Sequence, residues 1–515
     1  MNGAKTLVST LLASGVDTCF ANPGTSEMHF VAALDEIPGM KCVLGLQENV
    51  VTGMADGYFR IARKPACTLL HCGPGFANGM ANLHNARRAR SGIVNIVGDQ
   101  ATFHRPFDPP LTSDTTGMAQ TVSAWVRTSA RASDLGRDAV EAVSAARTFP
   151  GQIATLILPA DVSWGEGGVV GTPTVPGQPP PIDSGAVDGA AKMLRDRRDV
   201  LILLAGHGVL AEAQHFAWRI ARATGAKLMA DFVNPHLARG RGRLQIERVP
   251  YTRAEAIEAI GKFRHVILVN ARPPVAFFAY PDVPSIHYES DTQFHVLSRP
   301  DQDPVEALRA LATLLDAPDA EIPDAGPRPE PASGVPSPEG LAQTLGALMP
   351  ENAIVSEESV TYGKHFYRFT HGAPAHDWLH LAGGAIGDGM PVATGAAIAA
   401  RKQRRVINLQ ADGSAMYSLQ SLWTQAREQL PVTTILLNNG RYDILLGEYK
   451  KVGAGATPGE NAMSMLDLGN PSLDWVRLAE GMGVEACRAT TLEQCADLMR
   501  RSFSKSGPFL IELMV

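Results

Sequence analysis

Cysteine is scarce in this sequence: six in 515 residues, at positions 19, 42, 67, 72, 487 and 495. None are spaced as a CxxC pair, so neither a zinc-ribbon site nor a disulfide scaffold is indicated. They are expected as free thiols of a reducing compartment, which points to the cytoplasm. Aromatic residues make up only 6%, and no basic block is interleaved with them, which argues against a nucleic-acid partner. The net charge of −6 is mild. No apolar run is long enough to cross a membrane. The start, MNGAKTLVSTLLASG, carries one Lys and lacks a long apolar core or a cleavage site. Leu7, Leu11 and Leu12 have helical spacing there, with Gly15 at the end, so an amphipathic helix is expected.

What is present is a globular composition, 45% hydrophobic, in a chain long enough for about three domains. Short apolar runs alternate with helical patterns in the first part: VDTCFANPG (16–24), CVLGLQ (42–47), ACTLLHCG (66–73), GIVNIVGD (92–99) and QIATLILPAD (152–161). That alternation predicts a parallel sheet built from βαβ units. A Gly/Pro-rich stretch at 165–185 reads as a linker. VLILLAGHG, AKLMADF, HVILVNA and PSIHY are expected as strands of a second, Rossmann-like sheet. A Pro-rich acidic stretch at 316–340 is a second linker. AIVSEE, RVINLQAD, TTILLNN and PFLIELMV then predict a third sheet. The expected architecture is α/β, with three doubly wound parallel-sheet domains at 1–165, 183–316 and 340–515.

The most informative motif is ADGSAMYSLQSLWTQAREQLPVTTILLNN. One strand ends at Asp412 and another ends at Asn438-Asn439, a spacing of 439 − 412 = 27 residues. Adjacent parallel strands would bring Asp412 and Asn439 to one sheet edge, where doubly wound sheets bind ligands. A carboxylate and a carboxamide offer hard oxygen ligands to Mg²⁺. The Gly413-Ser414 turn offers N–H groups and a hydroxyl to phosphate. An ordinary capped strand–turn–helix would also fit. In the first part, Glu48 follows a strand and opens the helix QENVVTGMADGY, where Val50, Val51, Met54 and Ala55 form an apolar face. A helix-capping acid is the bland alternative. HCGPGFANG (71–79) imitates a dinucleotide fingerprint, with Asp99 as a ribose ligand. Its glycines are spaced GxGxxxG, so a tight loop is preferred.

Taken together, NPGTSE (22–27), QENVVTGMADGY, AGGAIGDGMP (382–391) and ADGS…NNGRY occur in an order that resembles thiamine-diphosphate (ThDP) enzymes of the 2-oxo-acid decarboxylase and acetolactate synthase superfamily. NPG-x-x-E, ADGY…RKPA and GSA-x-YS…LWT…NNG-x-Y are most similar to benzoylformate decarboxylases. FAYP and the ARGRGR stretch suggest acetolactate-synthase-like proteins instead. The signature usually begins GDG; here Ala411 stands at the first glycine. The resemblance implies a pyrimidine-binding first domain, a Rossmann-like middle domain and a diphosphate-binding third domain. It implies ThDP and Mg²⁺ as cofactors and a small-molecule 2-oxo acid as substrate. The sites would lie between subunits of a homodimer or homotetramer.

The resemblance also implies roles. Glu48 would activate the cofactor through N1′, so that a C2 ylide adds to the 2-oxo acid and an enamine follows loss of CO₂. Ile386 would support the bent cofactor, and Gly384 would offer its carbonyl to the 4′-amino group. Asn22, Pro23 and Gly24 would line the other side. Asp412 and Asn439 would bind the metal through side chains and Arg441 through its backbone carbonyl. Gly413, Ser414, Ser359 and Tyr442 would surround the diphosphate. His71 and Thr25 would face the substrate, and His104 either reaches the site or sits on a surface loop. A middle-domain histidine of benzoylformate decarboxylases has no counterpart, because PPVAFFAYPD (273–282) places Phe277 and Phe278 there. No convincing FAD site is found, so FAD is not expected. The expected function is non-oxidative decarboxylation, with possible carboligation. A FAD-free acetolactate-synthase-type carboligase and a non-catalytic regulatory protein on the same fold are the alternatives.

Overall fold

Runs such as Val200–Leu204 and Val432–Asn438 are buried along their whole length. Strands apolar on both faces belong in a parallel sheet covered by helices on both sides. The computed structural model describes residues 1–515 and contains three such sheets. The first has six parallel strands in the spatial order Lys41–Leu44, Thr18–Asn22, Ala66–Leu70, Ile93–Asp99, Ile153–Pro159, Trp125–Thr128. The second has five parallel strands: Glu247–Arg248, Lys227–Ala230, Val200–Leu204, His265–Val269, Gln293–Ser298. The third has seven: Glu485–Ala489, Phe509–Met514, Val432–Asn438, Val406–Ala411, Ile354–Glu358, His376–His380, Leu237–Arg239. No helix is long and apolar enough to cross a membrane.

Two sequence expectations are corrected. PSIHY is not a strand; it makes only an isolated bridge, Val275 to Ile286. Pro273, Pro274, Pro281 and Pro284 remove the N–H groups a ladder needs. The real edge strand is Gln293–Ser298. Leu237–Arg239, expected with the middle unit, instead joins the third sheet, antiparallel to His376–His380. The stretch 316–340 is held against the surface: Trp218 Nε1 donates to the Glu321 carbonyl at 2.9 Å, and Leu492 N–H to the Gly334 carbonyl at 2.9 Å.

The first and third units meet through the helices Glu48–Ala62 and Gly389–Ala399. A Cβ on Gly57 would lie 2.1 Å from the Val392 carbonyl oxygen, and one on Gly395 would lie 1.9 Å from the Met54 carbonyl oxygen. The helices therefore touch backbone to backbone. Around this crossing, Val50, Met54 and Tyr58 share one buried cluster with Leu379, Val392 and Ala396. Gly395→Val should lower stability by about 3 kcal/mol, as for overpacked cores. Gly447→Ala, in an exposed helix with open space around it, should be neutral or stabilising. Thermal unfolding checks both; equal midpoints would remove the backbone contact as a constraint.

Candidate functional site

The carboxyl ends of the first sheet's strands carry the polar residues. Strand Thr18–Asn22 runs through Pro23 and Gly24 into a turn at Thr25–Glu27. Glu27 is fully buried. Its carboxylate accepts from Gly24 N–H at 2.8 Å and from Ser26 Oγ at 2.8 Å, and lies 2.8 Å from His71 Nδ1. His71 ends the next strand as the N-cap of helix Cys72–Ala89, with its side chain 27% exposed. Cys72 sits at φ +51°, and its Sγ is 3.0 Å from Ser26 Oγ. Burial, and the charges of Glu27 and Asp99, push the Cys72 thiol up to about 11.

Glu48 opens the helix Glu48–Ala62 behind a Gln47 cap. Asn78 Nδ2 donates to its Oε2 at 3.0 Å, and Oε1 has no hydrogen-bond partner. A Cβ on Gly75 would lie 2.9 Å from Glu48 Oε1 and 3.3 Å from His71 Cβ. The two side chains thus flank one glycine.

In the third sheet, Ala411 pairs in register with Leu437, so Asp412 and Asn438-Asn439 leave the sheet together. Asp412 Oδ1 accepts from Gly413 N–H and Oδ2 from Gly440 N–H, both at 2.8 Å. Burial raises the Asp412 pKa against the lowering effect of these N–H groups. Asn439 Oδ1 accepts from Arg441 N–H at 3.1 Å, while the Arg441 carbonyl accepts no hydrogen bond. Ser414 Oγ accepts from Gln410 Nε2 at 2.6 Å. The Tyr442 ring lies against Gly413, where a Cβ would come within 2.5 Å of it. Ser359 Oγ donates to Glu357 Oε1 at 2.5 Å. The donor set is all oxygen and partly free, which fits a hard cation with a phosphate.

The loop carrying Gly384 and Ile386 is tied from both sides. Glu358, fully buried, accepts from the N–H groups of Gly387 and Gly389 at 2.7 Å each. Asn85 Nδ2 donates to the Ala385 carbonyl at 2.8 Å, and Asn82 Nδ2 to the Gly387 carbonyl at 3.2 Å. Gly384 has φ +82°, and Phe277 lies so close that a Cβ there would be 2.5 Å from its ring. A cleft of about 1340 Å³ between the first and middle units reaches this loop at Ala382 and Gly383, with Phe277 in its wall. None of Glu48, His71 or Asp412 lines it.

Several anticipated residues fall into these clusters and others do not. Thr25 is exposed and its side chain makes no hydrogen bond; Ser26 is the hydroxyl that turns inward. His104 is exposed, packs near Phe107 at 6.4 Å, and bonds to none of the residues around His71. Within the chain no hydrogen bond joins Glu48 to the Gly384 loop or to Asp412. Sequence reasoning missed Glu27, Cys72 and Glu358. The NPG-x-x-E pattern contained Glu27 and was the available signal. Glu358→Ala should strand two loop N–H groups and cost about 3 kcal/mol. Hydrogen exchange at Gly387 and Gly389 should accelerate; unchanged protection there would show that Glu358 does not hold the loop.

Residues 1–122 match the N-terminal TPP-binding domain of thiamine pyrophosphate enzymes, and residues 359–513 match their C-terminal TPP-binding domain. The chain belongs to the thiamine pyrophosphate enzymes. Within them it is a ThDP-dependent enzyme of the decarboxylase and acetolactate synthase family. It is 49% identical, over 100% of this chain and 99% of the relative, to IlvX of Mycobacterium tuberculosis, provisionally named as an acetolactate synthase large subunit. It is 28% identical to benzoylformate decarboxylase of Pseudomonas aeruginosa, over 97% and 96% of the two chains. In fold it resembles the 4-hydroxybenzoylformate decarboxylase of Rhodococcus jostii, with TM-score 0.85 at 24% identity, covering 99% and 98%.

Proposed function

We propose that this chain is a Mg²⁺- and ThDP-dependent lyase that releases CO₂ from a 2-oxo acid without oxidation. The observation that carries the reading is the pairing of Glu48 and the His71–Glu27 dyad across Gly75. Glu48 Oε1 and the His71 Cβ flank the same glycine, so the two side chains arise next to each other at the carboxyl ends of the first sheet's strands, where both would be in reach of a bound ligand. When bound, ThDP supplies the carbanion-stabilising chemistry by which a 2-oxo acid loses CO₂.

The chain's residues would divide the work. Asp412, Asn439 and the Arg441 carbonyl would hold Mg²⁺. Gly413, Ser414, Ser359 and Tyr442 would line the diphosphate. Gly384, Ile386 and the turn Asn22-Pro23-Gly24 would contain the rest of the cofactor. Glu48 would hold or pass a proton at Oε1, the oxygen Asn78 leaves free. Glu27, as a carboxylate, can only accept, so it fixes the proton of His71 on Nδ1. Nε2 is then left to exchange a proton with the substrate. Thr25 would contact the substrate carboxylate from the mouth, with His104 on the neighbouring loop.

A second reading is carboligation. Phe277, against Gly384 and 4.9 Å from Phe278, is itself no proton donor. Slow proton delivery leaves time for a second carbonyl to react. A panel of 2-oxo acids given to the holoenzyme, with product analysis, separates the two. Free aldehyde supports the lyase; 2-acetolactate or another 2-hydroxy ketone as the main product supports the ligase. Neither product from ThDP-loaded enzyme would overturn both.

Glu48→Gln should retain ThDP and lose several orders of magnitude in kcat. Retention of more than about a tenth of the activity, a cost below ~1.4 kcal/mol, would remove Glu48 from the mechanism.

The proposed sites form between subunits of a homodimer or homotetramer, a reading supported by the lack of any hydrogen bond between the Glu48 and Asp412 clusters of one chain. Asp412→Ala should lose Mg²⁺ and ThDP together in calorimetry. Mixing it with Glu48→Gln should recover some turnover, because one hybrid site receives both intact halves. Verified mixed dimers without any turnover would point to sites built within one chain.

A further inference from the structure

The cluster around Glu27 holds more than a histidine and its orienting acid. Glu27, His71 and Cys72 each place one ligand atom within 4.8 Å of the others. The set is one carboxylate oxygen, one imidazole nitrogen and one sulfur, a mixture that suits Zn²⁺. It does not suit Mg²⁺, which takes oxygen ligands.

The local backbone is arranged to allow this. Cys72 adopts φ +51°, which a non-glycine residue rarely does. Gly98 has no side chain where a Cβ would stand 1.6 Å from Glu27 Oε1. Ser26 Oγ touches the whole group, at 2.8 Å from Glu27 Oε1, 3.0 Å from Cys72 Sγ and 3.4 Å from His71 Nδ1. The charge balance favours a cation. Glu27 has no Lys or Arg within ion-pair distance, and nearby Asp99 takes the one arginine, Arg105, at 3.2 Å.

We infer that Glu27, His71 and Cys72 form an inhibitory site for a borderline divalent cation of the Zn²⁺ type. Zn–ligand bonds of about 2.0–2.3 Å set ligand-to-ligand edges of roughly 3.3 Å or more. The Glu27–His71 contact of 2.8 Å must therefore open slightly, by rotation of side chains already in place. The fourth position falls to water on the exposed side of His71. Binding forms Zn–O, Zn–Nδ1 and Zn–Sγ bonds. The Cys72 S–H bond breaks and its proton leaves to solvent. The Nδ1 proton of His71 is replaced by one on Nε2, and no atom changes oxidation state. Nε2 thereby turns from acceptor to donor and cannot take a proton from the substrate.

Metal binding stands on this geometry alone; the inhibition rests on the proposed role of His71. The test uses tag-free holoenzyme with saturating Mg²⁺ and ThDP. Equilibrium dialysis should find one Zn²⁺ bound per chain, and Co²⁺ in its place should show a thiolate-to-cobalt charge-transfer band. Cys72→Ser should lose that band, bind Zn²⁺ at least about tenfold more weakly, and keep its turnover without added zinc. Cys72→Ala, checked for a wild-type melting curve, guards against a folding artefact. No band in the wild type, or equal Zn²⁺ affinity in both folded variants, would overturn the site. Binding without loss of turnover would leave the metal site standing and overturn its inhibitory effect together with the role of His71.

Discussion

The molecule depends on a place where two helices have no side chains between them. Glu48–Ala62 and Gly389–Ala399 cross with Gly57 under the Val392 carbonyl and Gly395 under the Met54 carbonyl. The first helix starts at Glu48. The second starts where the Gly384 loop ends. A change in their separation would move the acid and the loop relative to each other. Backbone contact resists such a change more firmly than side-chain packing, because a backbone cannot switch rotamers. Charge fastens the same crossing. Arg60 Nε donates to Asp56 at 2.8 Å, its Nη1 donates to the His380 carbonyl at 2.9 Å, and its Nη2 is 3.7 Å from Asp388. Burial pushes the Asp388 carboxyl well above the usual range, against the pull of Arg60. A buried set of this kind contributes little net stability but penalises any arrangement that leaves one member unpaired.

The parallel sheets were legible in the sequence because their strands are buried on both faces and bounded by turn residues. VLILL and TTILLNN admit few other readings. Asp412 and Asn439 were legible for the same reason, since a strand that ends at a polar residue places it at the sheet edge. What sequence could not supply was anything set by contact between distant segments. Glu358 reads as the end of an apolar strand, and only the fold reveals that it faces two N–H groups some thirty residues on. Leu237–Arg239 has no pattern that would assign it to one sheet over another; it joins the third because His376–His380 offers a free edge. PSIHY misleads for a local reason: its apolar content suggests a strand, while the prolines around it remove the N–H groups a ladder needs.

At the first cluster one short turn divides two neighbouring hydroxyls between different surroundings. NPGTSE marked the turn, and Thr25 was the residue that resemblance selected. The 3₁₀ turn at Thr25–Glu27 rotates Thr25 outward and carries Ser26 and Glu27 inward. A turn of three residues points successive side chains about 120° apart, so a motif alone does not say which one enters the site.

The two clusters place their carboxylates under opposite constraints. Glu27 is held by side chains as well as backbone: an N–H, a hydroxyl and an imidazole lie on its oxygens. Asp412 is bound only by backbone N–H groups, one on each oxygen, and burial still raises its pKa. Those N–H dipoles therefore do not fully replace the water it has lost. A carboxylate in that condition can gain by protonation or by a cation. In the proposed metal site, the free Arg441 carbonyl and the second lone pair of Asn439 Oδ1 would serve a cation. Under the proposed metal role a proton and Mg²⁺ would compete for Asp412, so affinity for Mg²⁺ should weaken as pH falls. The same under-solvation that makes Asp412 costly to the fold is what would make it a strong metal ligand.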